Sequence, residues 1–217
     1  MKHSGLLLVL FLHLSNLLFA QTIFLRAGAI RPKANITTIS LDFLPKLGAR
    51  FAGKTVGIVQ FENIPGSEEK ARLAASGIEL LDYLPDNAYT VAFRGVPAAN
   101  VLQQAGARAF FQLTPKQKMQ AYFANDIIPA WAVKVAGTVD VWVSFYKTLD
   151  PLSVLESLKE LNTDILSTDR LRYRVIALRI AANRIDEIAA LPFIEFIQPA
   201  PPKDQPLNYN SRIGSRA

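Results

Sequence analysis

Hydrophobic and polar positions along this chain follow the same order twice, in two segments of equal length. Residues 55–115 and 139–199 each combine β-branched runs, typical of strands, with short stretches of helical periodicity. Each segment predicts the order strand, helix, strand, strand, helix, strand. This order is the split β-α-β (ferredoxin-like) motif, a four-stranded antiparallel sheet with two helices on one face. Because an internal repeat determines the architecture, we expect an α+β protein with two tandem ferredoxin-like subdomains.

The first copy, residues 53–115, has clear breakers between its predicted elements. A helix is predicted to begin at Ser67, which can cap it, and to end before Gly77, which suits a helix stop. The predicted inner stripe of this helix consists of three small residues, Ala71, Ala74 and Ala75. The strands that follow, 78–84 and 88–93, are predicted to form a hairpin around the turn residues 85–87.

The second copy, residues 137–199, has the stronger helix signals. Asp150 is placed to cap a helix, and Pro151 occupies the first helical position, where proline is favoured. The predicted inward stripe of this helix is Val154, Leu155, Leu158 and Leu161. We therefore expect the second copy to be the better defined of the two.

The remaining segments differ in kind from the two copies. Residues 21–52 are a lead-in that begins with a short predicted strand. Residues 116–136 join the copies and are rich in aromatic and aliphatic side chains, so we expect them to pack between the two halves. Residues 200–217 are proline-rich at their start and have little periodicity, which predicts an extended, exposed tail.

Residues 1–20 have the features of a secretory signal peptide. Lys2 gives a basic start, an apolar run follows, and Ala20 is a small residue before a plausible cleavage point. The run is shorter than the ~20 residues of a membrane-spanning helix, although an uncleaved anchor is the alternative. We expect a secreted, periplasmic or cell-envelope protein with no stable membrane span after signal cleavage.

Composition limits the chemistry that this chain can perform. It contains no cysteine, and its two histidines, His3 and His13, both lie in the predicted signal peptide. The mature chain therefore lacks the residues for a Ser-His-Asp triad, a Cys-His dyad or a histidine metal site. We expect no catalytic residue, no cofactor and no metal, and hence no enzymatic activity in this chain.

The charge of the chain is mildly basic. The formal net charge is +6, and removal of Lys2 with the signal peptide would leave +5. Such a charge favours acidic partner surfaces or simple solubility, and it is weak evidence for nucleic acid. The predicted third strands also lack the glycine-containing pattern of RNA-recognition modules, so we expect no nucleic-acid partner.

Three arginines form a candidate contact patch in the second copy. Arg170, Arg172 and Arg174 alternate with Leu171 and Tyr173, and a period of two places alternate side chains on one side of a strand or hairpin. The patch fits an acidic partner, with a solvated strand face as the alternative. Trp142, on a predicted strand of the same copy, is a further candidate contact, and ordinary sheet packing is its alternative.

Several ordered stretches together resemble a known family. They are Gly53–Phe61 with Ile64 and Pro65, then 80–89, 137–143 and 191–199. In this order they resemble the N-terminal pro-region of secreted bacterial subtilisin-like (subtilase) serine peptidases, from about Ile23 to the tail. Residues 207–212 look like the approach to the catalytic domain, which is absent from this sequence.

The resemblance implies a folding and inhibition module that acts on a subtilisin-like protease domain, in cis or in trans. Pro-regions of this family adopt ferredoxin-like folds, template the protease domain and place their C-terminal segment in its cleft. Leu207 and Tyr209 in the tail would then be contacts, and the full-length precursor would be a serine endopeptidase. The tandem copy departs from simple subtilisin pro-regions, and we expect the second copy to dock because the tail adjoins it.

Two other classes of function remain open on the sequence. One is a secreted tandem ferredoxin-like binding or adhesion module unrelated to proteolysis, which capture of a non-protease partner would favour. The other is an enzyme that uses carboxylate or Ser-Lys chemistry, for which no motif is present and which turnover by the purified chain would support.

Overall fold

The computed structural model describes residues 22–34, 36, 50–95 and 99–202. Over these residues the chain is an α+β protein, and all of its paired strands are antiparallel. It divides into two compact units with a boundary between Leu113 and Thr114. In the described part of the chain, no helix has the length and apolar character needed to cross a membrane.

The first unit consists of a small hairpin and a larger sheet with two helices. Its elements are β1 (Ile23–Leu25), β2 (Gly28–Ile30), β3 (Arg50–Phe51), β4 (Lys54–Phe61), α1 (Ser67–Ala75), β5 (Ile78–Leu84), β6 (Ala88–Arg94), α2 (Ala99–Gln104) and β7 (Ala107–Phe111). Strands β1 and β2 pair with each other, and the main strands lie in the order β7-β4-β6-β5. The short strand β3 pairs with the start of β4, on the same edge as β7.

The core of the first unit lies between its main sheet and helices α1 and α2. Phe61, Leu73 and Phe110 are almost completely buried there. The predicted alanine stripe of α1 is wrong, because all three alanines are exposed and Leu73 is the buried residue of the helix. A leucine buries far more apolar area than an alanine, so the helix turns its single large aliphatic side chain inward.

The second unit begins with two 3-10 helices and a short α-helix and continues into a four-stranded sheet. Its elements are 3-10 helix Pro115–Lys118, α3 (Ala121–Ala124), 3-10 helix Ala130–Ala132, β8 (Thr138–Phe145), α4 (Pro151–Glu160), β9 (Asp164–Ser167), 3-10 helix Leu171–Tyr173, β10 (Val175–Ala181), 3-10 helix Ala182–Arg184, α5 (Ile185–Ala190) and β11 (Ile194–Pro199). The strands lie in the order β11-β8-β10-β9. In both units the fourth strand of the motif lies beside the first, followed by the third and then the second.

Helix α4 follows the sequence prediction closely. One carboxylate oxygen of Asp150 accepts hydrogen bonds from the Ser153 backbone amide at 2.9 Å and hydroxyl at 2.8 Å. Pro151 is the first helical residue, and Val154 and Leu158 are fully buried. The predicted cap is therefore confirmed, and the predicted inward stripe is confirmed at Val154 and Leu158, whereas Leu155 and Leu161 are half-buried.

The segment between the two copies packs against the second unit. The Gln120 amide donates to the carbonyl of Ile197 in β11 at 2.9 Å. Lys118 Nζ donates to the carbonyl of Leu191, just after α5, at 3.0 Å. Phe123 is 2 % exposed, so the segment contributes to the apolar interior of this unit.

Candidate interaction surfaces

The two sheets can be compared residue by residue because their central strands pair in the same way. In β4, Ile58 lies opposite Thr90 of β6 and Phe111 of β7. In β8, Trp142 lies opposite Ala177 of β10 and Gln198 of β11. Both residues are the fifth of an eight-residue strand, so Ile58 and Trp142 occupy equivalent positions.

Ile58 and Trp142 lie on the sheet faces that turn away from the helices. Successive side chains of a strand point to opposite faces. Val59, next to Ile58, belongs to the core beneath the helices, whereas Ile58 belongs to a separate apolar cluster. Val143, next to Trp142, is fully buried, whereas Trp142 is half-buried. We call these the second face of each unit.

The second face of the first unit is covered by the β1–β2 hairpin. Ile23 of β1 is 0 % exposed and clusters with Ile58 and Ala88, which are 3 % and 0 % exposed. Partly buried apolar side chains surround this contact: Leu25, Leu84, Phe111 and Leu113. Phe24, on the outer side of the hairpin, is 63 % exposed. The hairpin therefore acts as a lid with one apolar side.

The second face of the second unit has a different composition. Where the first unit has the buried pair Val56 and Ala92, opposite each other in register, the second unit has Asp140 and Arg179. Arg179 Nε donates to Asp140 Oδ1 at 2.7 Å and Nη2 donates to Oδ2 at 3.0 Å. This bidentate hydrogen bonding raises the pKa of the Arg179 guanidinium. Asp140 is as buried as Val56, but Trp142 and Arg179 are half-buried, so this part of the face can remain in contact with water.

An aromatic-arginine stack lies beside the ion pair. The guanidinium carbon of Arg170 lies 4.5 Å from the centroid of the Trp142 ring, within the range of a cation-π interaction. Trp142 is half-buried and Arg170 is exposed. Tryptophan and arginine are the residue types most often found among the energetic centres of protein interfaces.

The strand setting predicted for the three arginines is wrong, and the structure has them in the hairpin setting. They lie in the turn between β9 and β10, where residues 171–173 form a 3-10 helix and Arg174 adopts a left-handed conformation with φ 61°. Arg170 stacks on Trp142, whereas the Arg172 guanidinium lies 4.6 Å from the centroid of the exposed Tyr173 ring. Nη1 of Arg174 is buried without a hydrogen-bond partner among the described residues. The structure therefore brings Arg170 and Trp142 together and directs Arg172 elsewhere.

The start of the tail is anchored beside the same face. The Ala200 amide donates to the carbonyl of Asp140 at 2.8 Å, directly after β11 ends at Pro199. Asp140 thus holds Arg179 with its side chain and the first tail residue with its backbone. Leu207 and Tyr209, the predicted tail contacts, lie outside the described residues.

The second unit also has a cleft of about 220 Å³. It is lined by Phe123, Asp126, Ile127, Ile128, Ala182, Asn183, Ile185 and Asp186. Lys116 forms an ion pair with the Asp126 carboxylate. Across the described ranges, no group of three or more histidine, cysteine or acidic side chains is arranged to hold a metal ion.

Sequence reasoning missed two features of these surfaces. The lid function of the hairpin depends on which sheet face Ile23 reaches, and the sequence predicted only a short strand there. The Asp140–Arg179 pair could have been found from the sequence. An alignment of the two copies places these opposite charges where the first copy has Val56 and Ala92.

Residues 24–114 match a family described as a domain of unknown function (DUF8729). This range begins within β1 and ends at the unit boundary, so it includes the hairpin together with the sheet that the hairpin covers. No curated protein and no solved structure matches the chain.

Proposed function

We propose that this chain is the pro-region of a secreted subtilisin-like serine endopeptidase, an inhibitor and folding module that acts on the protease domain in cis or in trans. The observation that carries the proposal is the second face of the second unit, where Trp142 and Arg170 stack beside the point at which the tail begins. The resemblance of the ordered sequence stretches to subtilase pro-regions supplies the identity of the partner.

The fold supports the proposal at the level of topology. Both units have the strand order expected of a ferredoxin-like motif, with the fourth strand beside the first and the second at the far edge. We therefore assign the chain as two tandem ferredoxin-like subdomains. Such a sheet has helices on one face and leaves its second face for another element or a partner.

The chemistry of the second face suits a partner that arrives after folding. Interfaces of this kind combine an aromatic or arginine centre with a polar surround, because the surface must be stable in water before binding. Trp142 provides the centre, and Arg170 and the Asp140–Arg179 pair provide polar surroundings. An acidic side chain on the protease domain would complement the exposed Arg170 guanidinium.

The tail supplies the second contact in this mechanism. The hydrogen bond from Ala200 to Asp140 sets the direction of the chain as it leaves the sheet. Extended segments add readily to the edge of a partner strand, and we propose that residues 203–217 lie in the protease cleft with Leu207 and Tyr209 as side-chain contacts. The chain itself is proposed to have no catalytic activity, no cofactor and no nucleic-acid partner, and to act outside the cytoplasm.

A titration of proteolytic activity tests the proposal. The mature chain, residues 21–217, is titrated against subtilisin-like peptidases secreted by the same cells, and the inhibition constant is measured. Trp142→Ala is expected to raise this constant about 30-fold, corresponding to a loss of about 2 kcal/mol at an interface centre. Tyr173→Ala, which removes an exposed aromatic ring that stacks on Arg172 instead of Arg170, is the matched control and is expected to change little.

Two results would contradict the proposal. One is the absence of inhibition by the wild-type chain, and the other is an equal effect of Trp142→Ala and Tyr173→Ala. Capture of a non-protease partner by the wild-type chain, lost in Trp142→Ala, would instead favour a secreted binding or adhesion module.

A further inference from the structure

We infer that the β1–β2 hairpin occupies, in the first unit, the place that the docking partner takes in the second unit, so that each chain has one docking face. The inference rests on the proposed function for the identity of the partner. The covering of the first unit's second face is inferred from the observed contacts of Ile23.

The equivalence of positions carries the first step. Ile58 and Trp142 lie at the same place in strands of equal length and with the same pairing on both sides. Ile23 covers Ile58 directly, and both side chains are almost completely buried. A partner that binds around Trp142 would find the corresponding site in the first unit filled by the hairpin of the same chain.

The chemistry of the two faces carries the second step. The first unit's face has an apolar centre, where Ile58 and Ala88 are at most 3 % exposed and cluster with Ile23. The polar side chains on this face, Thr90 and Gln60, are buried as well, and Gln60 is hydrogen-bonded to Arg108. Exposure of the apolar centre would promote non-specific association, so it requires a lasting cover. The second unit's face carries an ion pair and an arginine-tryptophan stack in its place, which tolerate both water and a partner. The two copies are therefore adapted to different occupants.

The way in which the hairpin is held carries the third step. Among the described strands, β1 pairs with β2 and neither pairs with the main sheet. A two-stranded hairpin is marginally stable by itself, so the hairpin depends on its contacts with the sheet, in which Ile23 is the fully buried side chain and Leu25 a partly buried one. A single substitution at Ile23 should therefore lift the lid without a change in the main sheet.

The experiment compares Ile23→Asp with Phe24→Asp in the mature chain. Both variants place the same charge on β1, but Ile23 faces the sheet and Phe24 faces outward, 0 % and 63 % exposed. Binding of the apolar dye 8-anilinonaphthalene-1-sulfonate is expected to increase several-fold in Ile23→Asp and to stay at the wild-type level in Phe24→Asp. Ile23→Ala, a milder change, is expected to show a smaller increase in the same direction should the aspartate variant not fold.

Calorimetric titration with a subtilisin-like protease domain, inactivated by replacement of its catalytic serine, measures the stoichiometry. Wild type and Phe24→Asp are expected to bind one protease domain per chain, and Trp142→Ala is expected to bind it about 30-fold more weakly. Two domains bound per wild-type chain, or equal dye binding by Ile23→Asp and Phe24→Asp, would overturn the inference. If the wild-type chain binds no protease domain, the proposed function fails, and the dye measurement still decides whether the hairpin closes the first face.

Discussion

Ile58 and Trp142 occupy the same position in two sheets of the same topology, yet Ile58 lies beneath the chain's own hairpin and Trp142 beneath the side chain of Arg170. A repeated fold thus presents two different surfaces from one position. The difference follows from side chains, since the backbone pairing around the two residues is the same.

The first prediction separates two arginines of the same turn. Arg170→Ala is expected to weaken inhibition of a subtilisin-like peptidase about tenfold, because it removes the cation-π contact with Trp142 and one positive charge at the docking face. Arg172→Ala removes the same charge from a side chain that stacks on Tyr173 instead, and is expected to have little effect. The effect of Arg170→Ala should decrease as ionic strength rises, because salt screens exposed charges. Equal inhibition constants for the two variants would argue against a docking face around Trp142.

The second prediction concerns the Asp140–Arg179 ion pair. Asp140→Val alone leaves the partly buried Arg179 without its carboxylate and is expected to lower the melting temperature. The double variant Asp140→Val with Arg179→Ala introduces the residues found at the equivalent positions of the first unit, Val56 and Ala92, and is expected to recover most of the loss. Thermal unfolding of Asp140→Val and of the double variant measures this recovery as a difference between their melting temperatures. If the double variant melts at a lower temperature than Asp140→Val, the ion pair cannot be replaced by the residues of the first unit.

The third prediction concerns the buried Lys118. Burial lowers the pKa of its ammonium from 10.5 to about 8, and its Nζ donates to the carbonyl of Leu191. Because the folded-state pKa lies below the unfolded value, Lys118 costs stability most fully below pH 8, and this cost disappears as the pH rises from about 8 towards 10.5. Lys118→Met is expected to stabilise the chain by about 1–3 kcal/mol at pH 7, since the lost hydrogen bond offsets part of the gain.

Urea unfolding at pH 7 and pH 10 measures this effect. The advantage of Lys118→Met over wild type should shrink at pH 10, where the native wild-type amine is neutral. Lys116→Met, which changes a half-buried lysine two residues earlier, is the control and should show no such dependence between pH 8 and 10. A constant difference between Lys118→Met and wild type at both pH values would contradict the burial of a charged Lys118.

The fourth prediction concerns the cap of α4. Hydrogen bonds from Ser153 lower the pKa of the Asp150 carboxyl, and the bond from the backbone amide has a larger effect than the bond from the hydroxyl. Since the folded-state pKa lies below the unfolded one, this carboxylate stabilises the fold above about pH 4 and loses its effect as the pH falls through the lower, folded-state value. Asp150→Ala is expected to lower the melting temperature at pH 7, and the difference from wild type should narrow in acid. Asp150→Asn, which retains a capping oxygen, should lose less than Asp150→Ala at pH 7.

Strand and helix positions in this chain were largely predictable, because local periodicity and caps act over a few residues. The strand 78–84 and the cap at Asp150 were predicted at the positions where the structure has them. The inner face of α1 was not, because choosing Leu73 over three alanines depends on the volume available between helix and sheet. The placement of the three arginines was not predictable either. Their period of two in the sequence persists through a 3-10 turn followed by a left-handed residue.

The sequence by itself determined the repeated order of elements, the antiparallel α+β class and the lack of cysteine and of any histidine beyond residue 13. These properties depend on local pattern and composition, which can be read directly from the linear sequence. Only the tertiary structure decided that Ile23 reaches Ile58, that Arg170 rather than Arg172 reaches Trp142, and that Asp140 pairs with Arg179. These contacts join residues that are distant in the chain, and they form only when sheet register and turn geometry bring particular faces together.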